Sequence, residues 1–356
     1  PTERPNIIHI LLDGYPGQDV LASELDFDNS AFTNALKERG FIVGADVRTS
    51  YNQTSLVMAA VFAGSYLNTT AEPLTETSME RLRMTLGKVV SQGSLKQRLR
   101  DQGYSFLTTE SGYYFFQPGP DDALTSPDFG WQSLNFFEEN LLAKLLPLMP
   151  EFSNVQLRFI RYRAAKFNAY LRHAVSTDAY MQLSPPYHYF AHLLAPHPPF
   201  VIDRNGEDWE IWMDTFGTLL DSSNAHQMDP VKQVAYREGF LEKLRYVNAT
   251  LIPYLDQLIA TVPSPRIIII HGDHGSGTHF DQDDVATSCL KERFAPLLAV
   301  YADDPGLREV FADIQNERFN IVNLYRMIAD QNFGTDMGQL EDRSWFTTWE
   351  DARNPT

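Results

Sequence analysis

Residue types suited to group-transfer chemistry stand at the ends of apolar runs. Asp13 follows Asn6-Ile-Ile-His-Ile-Leu-Leu12 and precedes Gly14. Asp273 and His274 follow Arg266-Ile-Ile-Ile-Ile270, inside His271-Gly-Asp-His-Gly275. His197 follows Tyr187-His-Tyr-Phe-Ala-His-Leu-Leu194, inside Ala195-Pro-His-Pro-Pro199. A carboxylate and an imidazole thrust from a buried strand by a glycine-flanked turn make half of a divalent-metal site. A second carboxylate from another strand adds a plausible ligand for Zn²⁺ or Mn²⁺ and leaves room for a nucleophile or substrate oxygen. The plain alternative is a capping or turn aspartate at each place, since Asp-Gly is a turn dipeptide by itself.

The nucleophile candidate lies in Thr49-Ser-Tyr-Asn-Gln-Thr-Ser-Leu-Val-Met-Ala-Ala-Val-Phe-Ala-Gly64, a polar loop running into a small-residue helix. Thr54 or Ser55 stands at the helix N-terminus, where the commonest duty of a hydroxyl is capping. The same position gives a hydroxyl nearby backbone N–H groups and a positive dipole end, which favour a phosphate or sulfate. A bound metal would lower the pKa of that hydroxyl and make an alkoxide accessible.

These residues need elements to hold them. Short apolar runs bounded by turn residues predict strands over 6–12, 41–47, 104–108, 187–194, 266–270 and 295–301. Helical patterns fall over 29–39, 55–62, 93–102, 231–260 and 318–330. Strands alternating with helices imply an α/β fold with a mostly parallel central sheet and helices on both faces. Open sheets of this kind bind ligands beyond the carboxyl ends of their strands, which is where Asp13, His197 and Asp273 stand. No linker divides the chain, so residues 1–356 are expected to form a single catalytic domain with a helical insertion at about 133–175. The second half of that insertion, Arg158 to Arg172, is basic within an acidic protein. It reads as a solvated amphipathic helix packed on the sheet, or as a surface facing anionic headgroups or an acidic substrate.

Composition narrows the partners. With 29 basic against 46 acidic residues, the 356-residue chain has a formal net charge of −17, which argues against nucleic-acid binding through a broad basic surface. The single cysteine, Cys289, excludes an intrachain disulfide framework and a cysteine-rich zinc site. No run approaches the roughly 18–20 apolar residues of a membrane-spanning helix. A chain that begins with proline is expected to have been trimmed. His188 and His192, four apart on a strand and thus about 13 Å from each other, cannot share an ion. Together with His9, His226 and His271 they read as structural. The sequons at Asn52, Asn68 and Asn248 read as chance.

Four patterns in one order resemble the alkaline phosphatase superfamily, in its sulfatase-like branch. They are Leu11-Leu12-Asp13-Gly14, Gln53-Thr54-Ser55 with Gly64 closing the helix, Pro196-His197-Pro198-Pro199-Phe200, and Gly272-Asp273-His274-Gly275. The branch contains arylsulfatases, lipoteichoic acid synthases and phosphoethanolamine transferases, and the resemblance spans roughly residues 5 to 301. It implies an alkaline phosphatase-like fold, with Asp13, Asp273 and His274 as metal ligands and Thr54 as the nucleophile. It implies further that His197 contacts the transferred group or a second metal. His279 resembles the histidine that follows the Asp-His pair in headgroup transferases.

The departures from the branch are informative. Arylsulfatases carry Cys-x-Pro-Ser-Arg at the nucleophile, where this chain has Thr54, Leu56 and Met58, so sulfate-ester hydrolysis by that route is not expected. No Asp lies four residues before any of the nine histidines, unlike the second zinc site of alkaline phosphatases. The implied activity is metal-dependent phosphoryl-group transfer through a covalent phosphothreonine, with one divalent metal (Zn or Mn) and room for a second. The implied substrate is a phospholipid headgroup or related phosphodiester. The implied setting is extracytoplasmic, periplasmic or at the cell surface, in a domain cut from a membrane-anchored parent. The rival expectations are a hydrolase of soluble phosphate or sulfate esters and a catalytically idle binding domain of the same fold.

Overall fold

A computed structural model describes residues 4–69, 78–113, 115–127, 145, 154–198, 200–207 and 230–348. Its centre is β1 (Asn6–Leu12), flanked by β7 (Arg266–Gly272) and β6 (Tyr187–Leu193), both parallel to it. β4 (Ser105–Thr109) continues the parallel sheet beside β6, and β5 (Ala123–Thr125) forms that edge. On the other side β8 (Leu298–Ala302) runs antiparallel to β7, and β2 (Ile42–Val43) antiparallel to β8. The order is therefore β2-β8-β7-β1-β6-β4-β5. Every residue of β1 is buried, which is why its sequence is almost continuously apolar rather than alternating.

Alternate side chains of these strands feed two cores. Ile7, Leu11, Ile267, Ile269 and Phe190 pack with the helix Thr54–Ala63 and with residues of the helices Met79–Gln92 and Leu324–Phe333. Ile8, Ile10, Leu12, Ile268 and Ile270 pack with residues of the helices Gln18–Leu25, Ser30–Glu38 and Pro230–Thr261. The expected α/β architecture, with helices on both faces of a mostly parallel sheet, is thus the one observed. The helix Thr54–Ala63 is apolar on all sides because it is buried on all sides. Gly64 ends it in a left-handed conformation, its N–H donating to the Ala60 and Val61 carbonyls.

The strand expected over 41–47 is two strands. Ile42–Val43 joins the large sheet, whereas β3 (Asp46–Arg48) pairs in parallel with β9 (Arg318–Asn320) in a separate two-stranded sheet. Gly44 and Ala45 between them donate to Leu298 and Ile314 carbonyls, turning the chain from one sheet to the other. The helix expected from 318 accordingly begins later, at Leu324, because Arg318–Asn320 is spent on β9 and Asn320 caps the next turn by accepting from Val322 N–H. Of the insertion expected at about 133–175, the helix Asn154–Ala174 is described. The break near Pro147 and Pro150, and His226, lie outside the described residues. Among the described residues no helix is long and apolar enough to cross a membrane.

Candidate active site

Parallel pairing sets Leu12 beside Gly272, so the chains leaving β1 and β7 release Asp13 and Asp273 side by side. Gly14 follows with φ +73, a left-handed turn that glycine adopts without cost. Its N–H donates to Asp273 Oδ1 at 2.9 Å, and His274 N–H donates to the same oxygen at 2.9 Å. A Cβ on Gly275 would overlap the Glu292 carbonyl, so glycine is required for the turn that swings His274 back.

The remaining acceptors are left facing each other. His274 Nδ1–H donates to the Gly275 carbonyl at 2.9 Å, which leaves its Nε2 as a lone pair. That Nε2 lies 3.1 Å from Asp273 Oδ2, yet Oδ2 has no hydrogen-bond partner, and neither does Asp13 Oδ1. All three residues are buried. Their ligand-type atoms lie within 4.8 Å of one another, the one such group among the described residues. Buried lone pairs pointed at one another are costly unless a positive charge lies between them. Carboxylate oxygens with an imidazole nitrogen are the donor set of a divalent cation.

Thr54 Oγ1 is 3.3 Å from His274 Nε2, and its hydroxyl favours the ionised form of Asp273. Thr54 is the first helical residue; the N-cap is Gln53, whose side chain makes no capping bond. Neither Thr54 nor Ser55 is therefore the N-cap. The two hydroxyls also part company here, since the Ser55 hydroxyl acts on the Tyr113 phenol and favours its ionised form.

The electrostatics divide the two carboxylates. Burial works against a charge on Asp13, but His197 and the hydrogen bond from His192 outweigh it and hold its carboxyl below the ordinary range. Burial and the charge of Asp13 push Asp273 up to about 6, against the pull of Gly14 N–H, Thr54 and Arg293. Burial, with the nearby Arg293, keeps His274 neutral. One carboxylate is committed to ionisation while its neighbour resists a second negative charge, as two carboxylates sharing a buried site do.

Several participants escaped the sequence analysis. His192, taken there as structural, places Nε2 3.0 Å from Asp13 Oδ2, with Ser111 Oγ 3.2 Å from its Nδ1. The pairing of Leu11 with His192 across β1 and β6 brings it there, and no local pattern carried that signal. Lys243 is buried and donates from Nζ to the Leu194 and His197 carbonyls, each at 2.6 Å. It ties the long helix to the loop bearing His197; burial lowers its pKa to about 7, with Asp13 opposing. Tyr113 packs edge-on against His192 at 5.2 Å between ring centres.

The two outlying histidines are placed differently. His197 donates its backbone N–H to the Asp13 carbonyl at 3.0 Å, and its charge acts on both Asp13 and His274. The His279 side chain is 54% exposed, with Nδ1 3.3 Å from Glu292 Oε2, outside the cluster of Asp13, Asp273 and His274. Glu292 raises its pKa.

No protein-family profile matches the chain, and neither does any curated protein. Solved structures do. The C-terminal periplasmic domain of EptC from Escherichia coli is 10% identical with a TM-score of 0.56, covering 99% of this chain and 92% of that one. A zinc complex of the same domain gives 11% identity and a TM-score of 0.54, with coverages of 100% and 93%. A phosphonate monoester hydrolase from Silicibacter pomeroyi gives 12%, 0.55, and coverages of 96% and 76%. BT1596, a 2-O glycosaminoglycan sulfatase, gives 14%, 0.54, and coverages of 95% and 76%. The chain has the fold these transferase, hydrolase and sulfatase domains share, the alkaline phosphatase-like fold of the sulfatase-like branch that its motifs resemble.

Proposed function

We propose that the protein is a metal-dependent phosphotransferase or phosphodiesterase with Thr54 as its nucleophile. The observation that carries this reading is the pair of unpartnered carboxylate oxygens, on Asp13 and Asp273, beside the His274 Nε2 lone pair that faces the Thr54 hydroxyl. Asp13, Asp273, His274 and Thr54 would hold one divalent ion, which when bound supplies positive charge that favours the ionised hydroxyl and offsets charge building on the phosphoryl oxygens. Two carboxylates and an imidazole suit zinc or manganese, and the zinc complex of the E. coli EptC domain supports zinc.

The chain's own residues do the rest. Thr54 Oγ1 forms a bond to phosphorus as the bond to the leaving oxygen breaks. The resulting phosphothreonine then passes its group to an acceptor hydroxyl or to water. The helix N-terminus at Thr54 aims backbone N–H groups at the incoming phosphoryl oxygens. His192 holds Asp13 in its ionised form and fixed orientation. His197 and His279, on separate loops, are the groups proposed to meet the transferred phosphoryl group or a second, weaker metal.

The substrate proposed is a phospholipid headgroup or related phosphodiester, in an extracytoplasmic setting. Support comes from the fold shared with periplasmic phosphoethanolamine transferase domains. The helix Asn154–Ala174, basic in its sequence, is the element proposed to approach an anionic headgroup. The test is zinc stoichiometry of protein purified without chelator, combined with acid-quenched turnover of a chromogenic phosphodiester and mass spectrometry of the Thr54 peptide. One zinc per chain is expected, with an adduct on Thr54 that carries the phosphoryl group and the ester group not yet expelled. An adduct on Ser55, or turnover that survives complete metal removal, would sink the proposal.

A further inference from the structure

Asn52, two residues before Thr54, is fully buried. Its side-chain amide makes a two-way pairing with Thr347: Nδ2 donates to the Thr347 carbonyl at 2.8 Å, and Oδ1 accepts from Thr347 N–H at 2.9 Å. The Thr347 hydroxyl donates to the same oxygen at 2.8 Å and accepts from Gln53 Nε2 at 2.9 Å. The Asn52 carbonyl accepts from Arg293 Nε and Nη2 at 2.9 and 2.8 Å. A third nitrogen of Arg293 reaches the Gly275 carbonyl at 3.4 Å, one residue past His274. Asn52 thus joins the Thr54 loop, the turn carrying Asp273 and His274, and the end of the chain.

Thr347 arrives on a strap that follows the helix Leu324–Phe333 and lies along 49–52. Ser344 Oγ donates to the Thr49 carbonyl at 2.7 Å, Trp345 N–H to the Ser50 carbonyl at 2.9 Å, and Trp345 stacks on Tyr51 at 5.6 Å between ring centres. Apolar contacts would suffice to cover the loop. The buried polar pairing does more, because hydrogen bonds are directional and fix the loop's position along and across the strap. With both ends of its amide engaged, Asn52 is also no acceptor for a glycan in the folded protein.

We infer that Asn52 and Thr347 form a positioning clamp that sets the Thr54 hydroxyl against Asp273 and His274. The inference rests on the reading of Thr54 as nucleophile. A displacement of about 1 Å at a reacting atom costs on the order of 10²-fold in rate, so loosening this clamp should show in turnover before it shows in binding.

The test uses the full chain loaded with zinc, bis(p-nitrophenyl) phosphate as probe, and hydrogen exchange of peptides spanning 49–56 and 266–274. Thr347→Val removes the hydroxyl that bridges Asn52 and Gln53 and keeps the strap's backbone bonds. The expected result is a fall in kcat of about tenfold or more, with KM and zinc content unchanged and faster exchange confined to 49–56. Thr347→Ser should restore both. Should Thr347→Val fail to fold, Gln53→Met removes the bond to the same hydroxyl from the other side, together with those to the Thr348 carbonyl and from Arg83, and should give the same split. Unchanged exchange overturns the clamp whatever the activity, and so does loosened exchange with wild-type kcat. Loss of zinc together with activity also overturns it, by making the strap a plain support of the fold. A wild type that binds zinc and never cleaves the diester overturns the phosphoryl-transfer reading instead, and exchange alone then decides whether the clamp exists.

Discussion

The three central strands carry two buried polar groups, one within the sheet and one at its carboxyl end, and the two behave in opposite ways. Within the sheet, His9 on β1 joins His188 on β6 through Tyr325 and His271 on β7 directly, all of them buried. His271 Nδ1–H donates to the Gly272 carbonyl at 2.7 Å, so its Nε2 accepts from His9 Nε2–H at 2.7 Å. His9 Nδ1 then accepts from the Tyr325 hydroxyl, whose oxygen accepts from His188 Nε2–H, each at 2.7 Å. Each proton is assigned by its neighbour. Burial holds His9 and His188 well below their ordinary pKa and His271 at about 4. Four residues further along β1 and β6, and two or three further along β7, stand Asp13, His192, Asp273 and His274. There carboxylate oxygens replace the tyrosine and the neighbouring rings, and two of those oxygens have no partner. Buried imidazoles with a tyrosine form a neutral network that leaves one uncharged lone pair, His188 Nδ1, without a partner; imidazole beside orphaned carboxylate leaves unpaired negative charge that a cation would offset.

The comparison can be broken most sharply at Thr54. Thr54→Ala should lower kcat roughly 10³-fold or more with the fold intact, while Ser55→Ala, whose hydroxyl faces Tyr113, stays near wild type; the reverse ranking, read by steady-state kinetics, identifies the wrong hydroxyl. His274→Ala comes next. It should abolish stoichiometric zinc by elemental analysis, whereas His9→Gln, equally buried on the neighbouring strand, should retain it. His197→Ala and His279→Ala should each lower turnover at least roughly tenfold, as removal of a group acting in proton transfer or transition-state stabilisation does, with the first metal retained by Asp13, Asp273 and His274. Full activity in both would shrink the site to its central cluster.

Titration gives a gentler handle. Folding raises the Asp273 pKa to about 6, so in metal-free protein a proton occupies that carboxylate below this value and must leave before a cation binds. Apparent zinc affinity should therefore be flat above about pH 6 and fall about tenfold per unit below it, as measured by competition with a chromogenic chelator. Least affected should be the metal in Tyr325→Phe. Losing the hydroxyl orphans His9 Nδ1 and His188 Nε2–H at a cost of about 1–3 kcal/mol each, visible in denaturant melts, with zinc content unchanged.

The site was legible where chemistry followed local pattern. Apolar runs marked β1, β6 and β7, and the turn residues after them exposed Asp13, His197 and Asp273-His274 as candidates. The small-residue helix ending at Gly64 was likewise readable, because a buried helix has no polar face to hide its composition. Elsewhere local pattern misled. Arg318-Phe-Asn320 fits a helix on periodicity and becomes β9 because Asp46–Arg48 offers an edge to pair with. His192 passed as structural because a histidine inside a strand shows nothing of its neighbour strand. Asn52 looked like a chance sequon.

By itself, then, the sequence determined the central strands β1, β6 and β7 and which side chains stand at their ends, since both follow from hydrophobicity and turn chemistry over a few residues. Only the tertiary structure decided that β1 lies between β6 and β7, and with it that Asp13 meets both Asp273 and His192. It also decided that Thr54, not Ser55, turns to His274 and that Thr347 returns to Asn52. Those contacts join residues far apart in the chain. They depend on strand order, register and helix rotation, which are set by how the two cores pack against the sheet and not by any local run of residues.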